Sequence, residues 1–272
     1  MPLSLEPIEQ LLLLAADFTR FHDAQVRHAV NGKRPATVLN TQAASAQHLA
    51  NSALDIVTTL NTESMYHSPA IRAVYARIRQ LVQLATDAAG HLIDAEDIVT
   101  HTQEGLPVEL DDGFLTVLSE EDVRQETGRR FTLVAELTAL GASDAVATAE
   151  QYGAERRRHG STPEHQPPVL SRVQNSTLCA IARGDVTVSD GRPYNRREEA
   201  GISASTIRAL ENRGLITRAE CQLWLVDERV HLSPAGRRGL SASFANPRPA
   251  ALTATRPTAL QPAGTPTPTR GR

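Results

Sequence analysis

The sequence predicts a mostly α-helical protein with an N-terminal four-helix up-and-down bundle, a small C-terminal α+β domain and a disordered tail. The chain has 272 residues, a length that suits two modest domains. Aromatic residues make up only 4% of it, so its core must consist of Leu, Ile, Val and Ala, which favours helices. A polar stretch with three prolines at 156–168 separates an all-helical pattern from a mixed one, which predicts a linker there.

The first two helices are predicted at about 5–30 and 41–60, from the spacing of their apolar residues. The third starts at Ser68-Pro69, where serine is a favourable N-cap and proline suits the first helical position. Its apolar residues recur every three or four positions, as in a heptad seam: Ile71, Val74, Ile78, Leu81, Ala85, Ala88, Leu92, Ala95 and Val99. This seam suits a closed monomeric bundle and also a homodimer through an intermolecular coiled coil, because both arrangements need the same stripe.

The fourth helix is predicted to begin after Ser119, which with Asp122 resembles a capping box. It runs toward Arg158, with a possible break at Gly141. Four long helices with short connections favour the up-and-down antiparallel bundle, which we assign to residues 1–155.

Charge is strongly segregated along the chain. Residues 1–155 carry 10 Lys and Arg against 22 Asp and Glu, a net of −12. Residues 156–240 carry 14 against 9, a net of +5, and residues 241–272 carry 4 against 0. A basic half of this kind indicates a polyanionic partner for that half only. The segment 241–272 is rich in Pro, Thr, Ala and Arg, and we expect it to be disordered because it has little apolar surface to bury.

Residues 169–240 alternate between helical and strand-like patterns. The predicted order is a helix at 170–185, a strand at 186–189, a helix at 202–213, a strand at 215–219, a strand pair at 221–232 with its turn near Asp227-Glu228, and a last helix opening at Ser233-Pro234.

Two pieces of this region, "STIRALENRGLI" (205–216) and "VHLSPAGRRGL" (230–240), resemble winged-helix DNA-binding domains of the MarR-like kind. Those domains often carry a recognition helix that ends in a Leu-x-x-x-Gly-Leu-Ile pattern, and they leave the wing through a hydrophobic-x-Leu-Thr/Ser-x-x-Gly-Arg motif. The resemblance covers residues 169–240. Where such domains have a second helix this chain has "RPYNRREEAG" (192–201), so either that helix is short or a strand and loop replace it.

The resemblance implies a DNA-binding protein, and we expect a transcriptional regulator that contacts double-stranded DNA. If Ile207 and Leu210 are buried, the outer face of the helix at 202–213 presents the side chains that can read base edges in the major groove. Serines at its start suit phosphate contacts, and arginines near the wing suit phosphate or the minor groove. The candidate DNA contacts are Ser203, Ser205, Arg208, Asn212, Arg218 and Arg229. The alternative is an interaction or structural protein whose winged helix binds protein.

Motifs for enzymatic chemistry are not found. The sequence has no Walker loop, dinucleotide glycine pattern, nucleophile elbow or metalloprotease helix, so we predict no catalytic residues and no cofactor. Four residues at near-helical spacing, His91, Asp94, Asp97 and His101, flank the apolar seam, and we interpret them as a solvated face and not as a metal site. Cysteines 179 and 221 lack zinc or redox spacing. We expect a cytoplasmic protein without a membrane span, since no apolar run reaches about 18 residues.

Overall fold

A computed structural model describes residues 5–30, 35–63, 68–109, 113–160, 170–196, 201–223 and 226–245. These residues form a mostly helical structure with a small antiparallel sheet region. The helices are α1 Pro7–Val30, α2 Ala36–Thr62, α3 Pro69–Gln103, α4 Glu120–Thr138, α5 Gly141–Arg158, α6 Arg172–Ala182, α7 Ala204–Asn212 and α8 Pro234–Ala245. The strands are β1 Val108–Glu109, β2 Leu115–Thr116, β3 Val186–Ser189, β4 Arg192–Asn195, β5 Ile216–Leu223 and β6 Val226–Leu232.

Helix α3 lies at the centre of the helical half. Its N-cap is Ser68, whose hydroxyl accepts a hydrogen bond from the Ile71 amide at 3.1 Å. All nine residues of the predicted seam are buried. They are covered within the chain, where α3 packs against α2, α4 and α5. The seam is therefore occupied in a single chain and is not left over for an intermolecular coiled coil.

The predicted fourth helix is two helices, so the part of residues 5–160 that the structure describes contains five. The capping box is confirmed, because Ser119 Oγ accepts from the Asp122 amide at 3.2 Å while the Asp122 carboxylate accepts from the Ser119 amide at 3.1 Å. The break falls at residues 139–140, just before Gly141. A Cβ on Gly141 would lie 2.3 Å from Cδ1 of Phe18. Glycine here lets α1 approach the start of α5.

In the C-terminal half the four-stranded sheet has the order β4-β3-β6-β5, with every neighbouring pair antiparallel. A tight turn joins β3 to β4 through Asp190 and Gly191, at φ of 49° and 71°. Two successive positive φ values are the requirement of the type I′ hairpin turn, which Asp-Gly favours. Strand β4 thus occupies the start of the segment where a second helix was in doubt, and residues 197–200 lie outside the described residues.

The predicted turn near Asp227-Glu228 is wrong. Strand β5 continues through Leu223, and Glu228 pairs with Glu220 inside the β5–β6 ladder. Asp and Glu have low strand preference, but ladder pairing outweighs so weak a local signal. The two residues between the strands, 224–225, lie outside the described residues.

The tail was predicted to start at residue 241, but helix α8 extends to Ala245. Its first turn is closed by Ser233, whose hydroxyl accepts from the Gly236 amide at 3.0 Å. The helix then continues to Ala245, beyond the predicted boundary at 240, because Phe244 is buried against α5. A Cβ on Gly153 of α5 would lie only 2.9 Å from the Phe244 Cβ. The predicted tail from 246 onward lies outside the described residues.

The two halves share one hydrophobic core. Buried residues of α1–α5 and of α6, α7, β3, β6 and α8 belong to a single contiguous cluster. The predicted linker at 156–168 begins too early, since Arg156, Arg157 and Arg158 form the last turn of α5. Residues 161–168, the remainder of that linker, lie outside the described residues. Among the described helices, none is both long and apolar enough to cross a membrane.

Candidate nucleic-acid interface

Helix α7 is short and begins at a well-formed cap. Ser203 Oγ accepts a hydrogen bond from the Thr206 amide at 3.1 Å and lies 2.8 Å from Ser205 Oγ. Both serines are exposed. The N-terminal end of α7 therefore presents hydroxyls and the positive end of the helix dipole to solvent, an arrangement that suits an anionic partner.

The two faces of α7 differ in chemistry as its spacing predicts. Ile207 and Leu210 are buried and join the common core. Arg208 and Asn212 are exposed on the other side. Within the described residues, neither of these two side chains makes a hydrogen bond or an ion pair. Their donors and acceptors are thus available to a partner, and both side-chain types can make bidentate contacts with base edges.

Arg218 is engaged inside the protein. Its Nη1 lies 3.1 Å from Glu228 Oε2 on β6, and its Nη2 lies 3.0 Å from Glu211 Oε2 on α7. The hydrogen bond to Glu228 and the contacts with Glu211 raise the pKa of the guanidinium. Arg218 therefore connects α7 to the sheet, and a phosphate would have to compete with two carboxylates for it.

Arg229 was predicted to contact DNA from near the wing, but in the structure its side chain is buried. Arg229 is 8% exposed and lies in the central part of the sheet, opposite Thr187 on β3 and Ala219 on β5. Its Nε donates to Asp23 Oδ2 at 2.8 Å and its Nη2 contacts the other oxygen of the same carboxylate. The burial is decided by α1, because Asp23 covers this face of the sheet.

Two exposed arginines of the C-terminal half were not among the predicted contacts. Arg192 follows the β3–β4 turn, and Arg172 is the first residue of α6. Neither side chain has an ion-pair or hydrogen-bond partner among the described residues. Arg172 and Ile202, just before α7, line the same groove of about 220 Å³. The Asp-Gly turn signal could have located Arg192 at a hairpin tip; the position of Arg172 beside α7 depends on packing.

The described residues contain no group of three or more His, Cys, Asp or Glu able to hold a metal ion. In the helix-three set, Asp94 forms an ion pair with Arg130 of α4. Burial raises the pKa of the Cys179 thiol to about 12. That thiol is therefore protonated at neutral pH, and a reactive thiolate is not available there.

Comparison with known proteins identifies no relative. No protein-family model matches the chain, and neither the curated proteins nor the solved structures contain a significant match.

Proposed function

We propose that the protein binds double-stranded DNA through α7 and acts as a transcriptional regulator. One observation carries the proposal: Arg208 and Asn212 lie exposed on the outer face of a short amphipathic helix, without partners among the described residues. A helix of this kind is narrow enough for the major groove, and its exposed side chains are those that read guanine and adenine. The helical half, α1–α5, serves dimerisation or the binding of a protein partner.

The order of elements supports a winged-helix interpretation of the C-terminal half. Helix α7 leads directly into the β5–β6 hairpin, and β3 pairs with β6 on the other side from β5. The hairpin is followed by α8, which returns to the core. Strand β4 is an addition at the sheet edge, in the segment where a second helix would brace the recognition helix on the DNA backbone. Other residues would therefore contact the DNA backbone, and the exposed Arg172 and Arg192 are candidates.

The charge distribution supports the same assignment. The excess of basic residues lies in 156–240, while residues 1–155 have a net charge of −12. Part of the basic excess is engaged internally by the acidic partners of Arg218 and Arg229. The exposed cations around α7 thus set the electrostatic attraction for phosphate, and affinity should fall as salt concentration rises.

The test is a binding isotherm of the full chain on a duplex selected from a random pool and on random duplex. Arg208→Ala should weaken binding to the selected duplex by about 1–3 kcal/mol and relax its preference at one base pair. Binding to random duplex should change little. Arg77→Ala is the matched control, since Arg77 is an exposed arginine on α3 of the helical half. The loss of Arg77 should leave both isotherms unchanged.

Two results would count against DNA binding. The first is no measurable affinity for any duplex at low salt. The second is an affinity that does not depend on salt, because each neutralised phosphate should add about 0.9 to the slope of log affinity against log salt.

A protein partner is the second candidate, and one observation favours it. Val173 on α6 is 61% exposed, next to the groove that Arg172 and Ile202 line. Val173, Ala180 and Ile202 give this groove a partly apolar lining that a protein partner would cover. If Val173→Asp abolishes capture of a cellular protein by the full chain while no duplex binds, this candidate replaces the first.

A further inference from the structure

The short hairpin of β1 and β2, which connects α3 to α4, carries a cluster of exposed large apolar side chains. They are Leu106, Phe114, Leu115 and Val117. Leu115 is 70% exposed in β2, and Val117, directly after that strand, is 67% exposed. Clustered apolar side chains on a protein surface, unlike single ones, often mark an interaction site. The hairpin is therefore a candidate docking surface.

A small hydrophobic core of its own holds this hairpin on the helices. Val108 and Leu118 are buried together with Ile98 of α3, in a cluster separate from the main core. The strand register places Glu109 opposite Leu115. Successive side chains of a strand point to opposite faces, and residues that oppose each other in a ladder share a face. Because Val108 faces the small core, its neighbour Glu109 lies with Leu115 on the outer face.

Acidic residues surround these apolar side chains. Between positions 104 and 122 the sequence contains seven Asp and Glu and no Lys or Arg. Glu104, Glu109 and Glu120 are exposed, and Glu121 is paired with Arg124. A second copy of this hairpin, a nucleic acid or an anionic membrane would bring further negative charge against them, which is unfavourable. Charge complementarity therefore favours a cationic partner.

The backbone of the hairpin suits an extended partner. Within the described residues β1 and β2 pair only with each other, so each strand has one edge without a neighbouring strand. An extended peptide can add to such an edge, where main-chain hydrogen bonds provide affinity and alternate side chains provide specificity. Each strand is only two residues long. Side-chain contacts must therefore supply most of the affinity.

We propose that the outer face formed by Glu109, Leu115 and Val117 docks an extended basic segment of a partner protein, in which apolar side chains alternate with Lys or Arg. The apolar side chains cover Leu115 and Val117, and the cations pair with Glu109 and the neighbouring carboxylates. This inference rests on the partner-binding role proposed for the helical half and not on DNA binding. Its test contains no DNA, so the two proposals can fail separately.

Fluorescence anisotropy of short labelled peptides mixed with the full chain tests the inference. One peptide alternates lysine with valine, a second alternates lysine with serine, and a third alternates glutamate with valine. The lysine–valine peptide should bind about tenfold more tightly than either of the others, or better. Only this peptide combines cations for the carboxylates with apolar side chains for Leu115 and Val117.

Variants locate the peptide on the hairpin. Leu115→Ser combined with Val117→Ser should weaken binding of the lysine–valine peptide by about tenfold or more, because the apolar contact is lost. Glu109→Gln should weaken binding less and make it less dependent on salt concentration. Leu140→Ser is the matched control, since Leu140 is 60% exposed but lies at the opposite end of α4. It should bind the peptide as the unchanged chain does.

Thermal melts of the variants should coincide with that of the unchanged chain, because all the substituted side chains are exposed. The proposal is overturned if the lysine–valine peptide does not bind, or if either of the other peptides binds equally well. It is also overturned if Leu140→Ser loses as much affinity as the double variant. Sedimentation velocity provides a further test: if the unchanged chain is a dimer that the double variant dissociates, a second copy covers the hairpin and the proposal is wrong.

Discussion

Asp23 on α1 and Arg229 on β6 form a two-point ion pair across 206 residues of the chain. Arg229 is held further by its Nη1, which donates to the Gly184 carbonyl oxygen at 2.7 Å. The side chains are only 16% and 10% exposed, for Asp23 and Arg229 respectively. The pair therefore connects the helical half to the centre of the sheet, where both side chains are largely shielded from solvent.

Removing one partner of this pair should be strongly destabilising. Arg229→Ala or Asp23→Ala should each lower the free energy of unfolding by about 3–5 kcal/mol, because the remaining charge stays buried and unpaired. The double variant Asp23→Leu with Arg229→Met should lose much less, since it buries neither charge. Urea unfolding measures all three. Arg192→Ala, an exposed arginine without a described partner, should change stability by less than about 0.5 kcal/mol. Equal small effects in both single variants would show that the pair is solvated.

Two helical glycines should respond in opposite directions to replacement by alanine. A Cβ on Gly236 of α8 would lie 1.9 Å from the Leu215 carbonyl oxygen, which is backbone and cannot move aside cheaply. Gly236→Ala should therefore destabilise by about 1–3 kcal/mol. A Cβ on Gly90 of α3 meets no atom within 4 Å, and Gly90→Ala should stabilise by about 0.5–1 kcal/mol through helix propensity. Thermal melts of the two variants should move to opposite sides of the unchanged protein, and a shift of the same sign would contradict the close approach of α8 to Leu215.

His231 should make the protein less stable as the pH falls below 6.5. Burial first, and then the positive charges of Arg20 and Arg229, lower the pKa of this imidazole from 6.5 to about 4, while Asp23 opposes them. Between these two pH values the unfolded state binds the proton more tightly, so acid favours unfolding. The expected loss between pH 7 and pH 5 is about 2 kcal/mol.

His231→Gln removes this titration and is the variant to compare. Between pH 7 and pH 5, the unchanged protein should lose about 2 kcal/mol more stability to urea than His231→Gln does. If the two proteins lose the same stability over that range, the imidazole does not have the lowered pKa.

Phe244 should stabilise both halves at once. It is 8% exposed and packs on Gly153 of α5. Phe244→Ala should lower the free energy of unfolding by about 3–5 kcal/mol through the cavity it leaves.

Since the halves share a core, circular dichroism and a fluorescence probe placed in the C-terminal half should report one common unfolding transition. Two separated transitions would instead support the independent C-terminal unit that the charge reversal at residue 156 suggests.

Local signals in the sequence were enough to predict most of the elements. The α3 seam, the Ser119 capping box and the Ser203 cap depend on residues within one or two turns of helix, and the structure contains all three. The buried and exposed faces of α7 followed from the spacing of Ile207 and Leu210 for the same reason.

The errors concern interactions between residues distant in the chain. Asp227-Glu228 resembles a turn locally, but pairing with β5 keeps it in a strand. Residues 241–245 were assigned to the tail because their apolar content is low. In the structure they belong to α8, since Gly153 on α5 leaves space for Phe244. The same distinction holds for the candidate DNA contacts. Helical periodicity predicted the exposed positions of Arg208 and Asn212, whereas the burial of Arg229 depends on a carboxylate on α1.

The sequence by itself determined most of the helices and strands, the apolar face of α3 and of α7, and which half is basic. These properties depend on residue type and on spacing over a few positions. Only the tertiary structure decided which charged side chains remain free. Arg218, Arg229 and Arg208 are the same residue type in one short region, but burial and ion pairing depend on what packs across from each of them, and Asp23 lies 206 residues from Arg229.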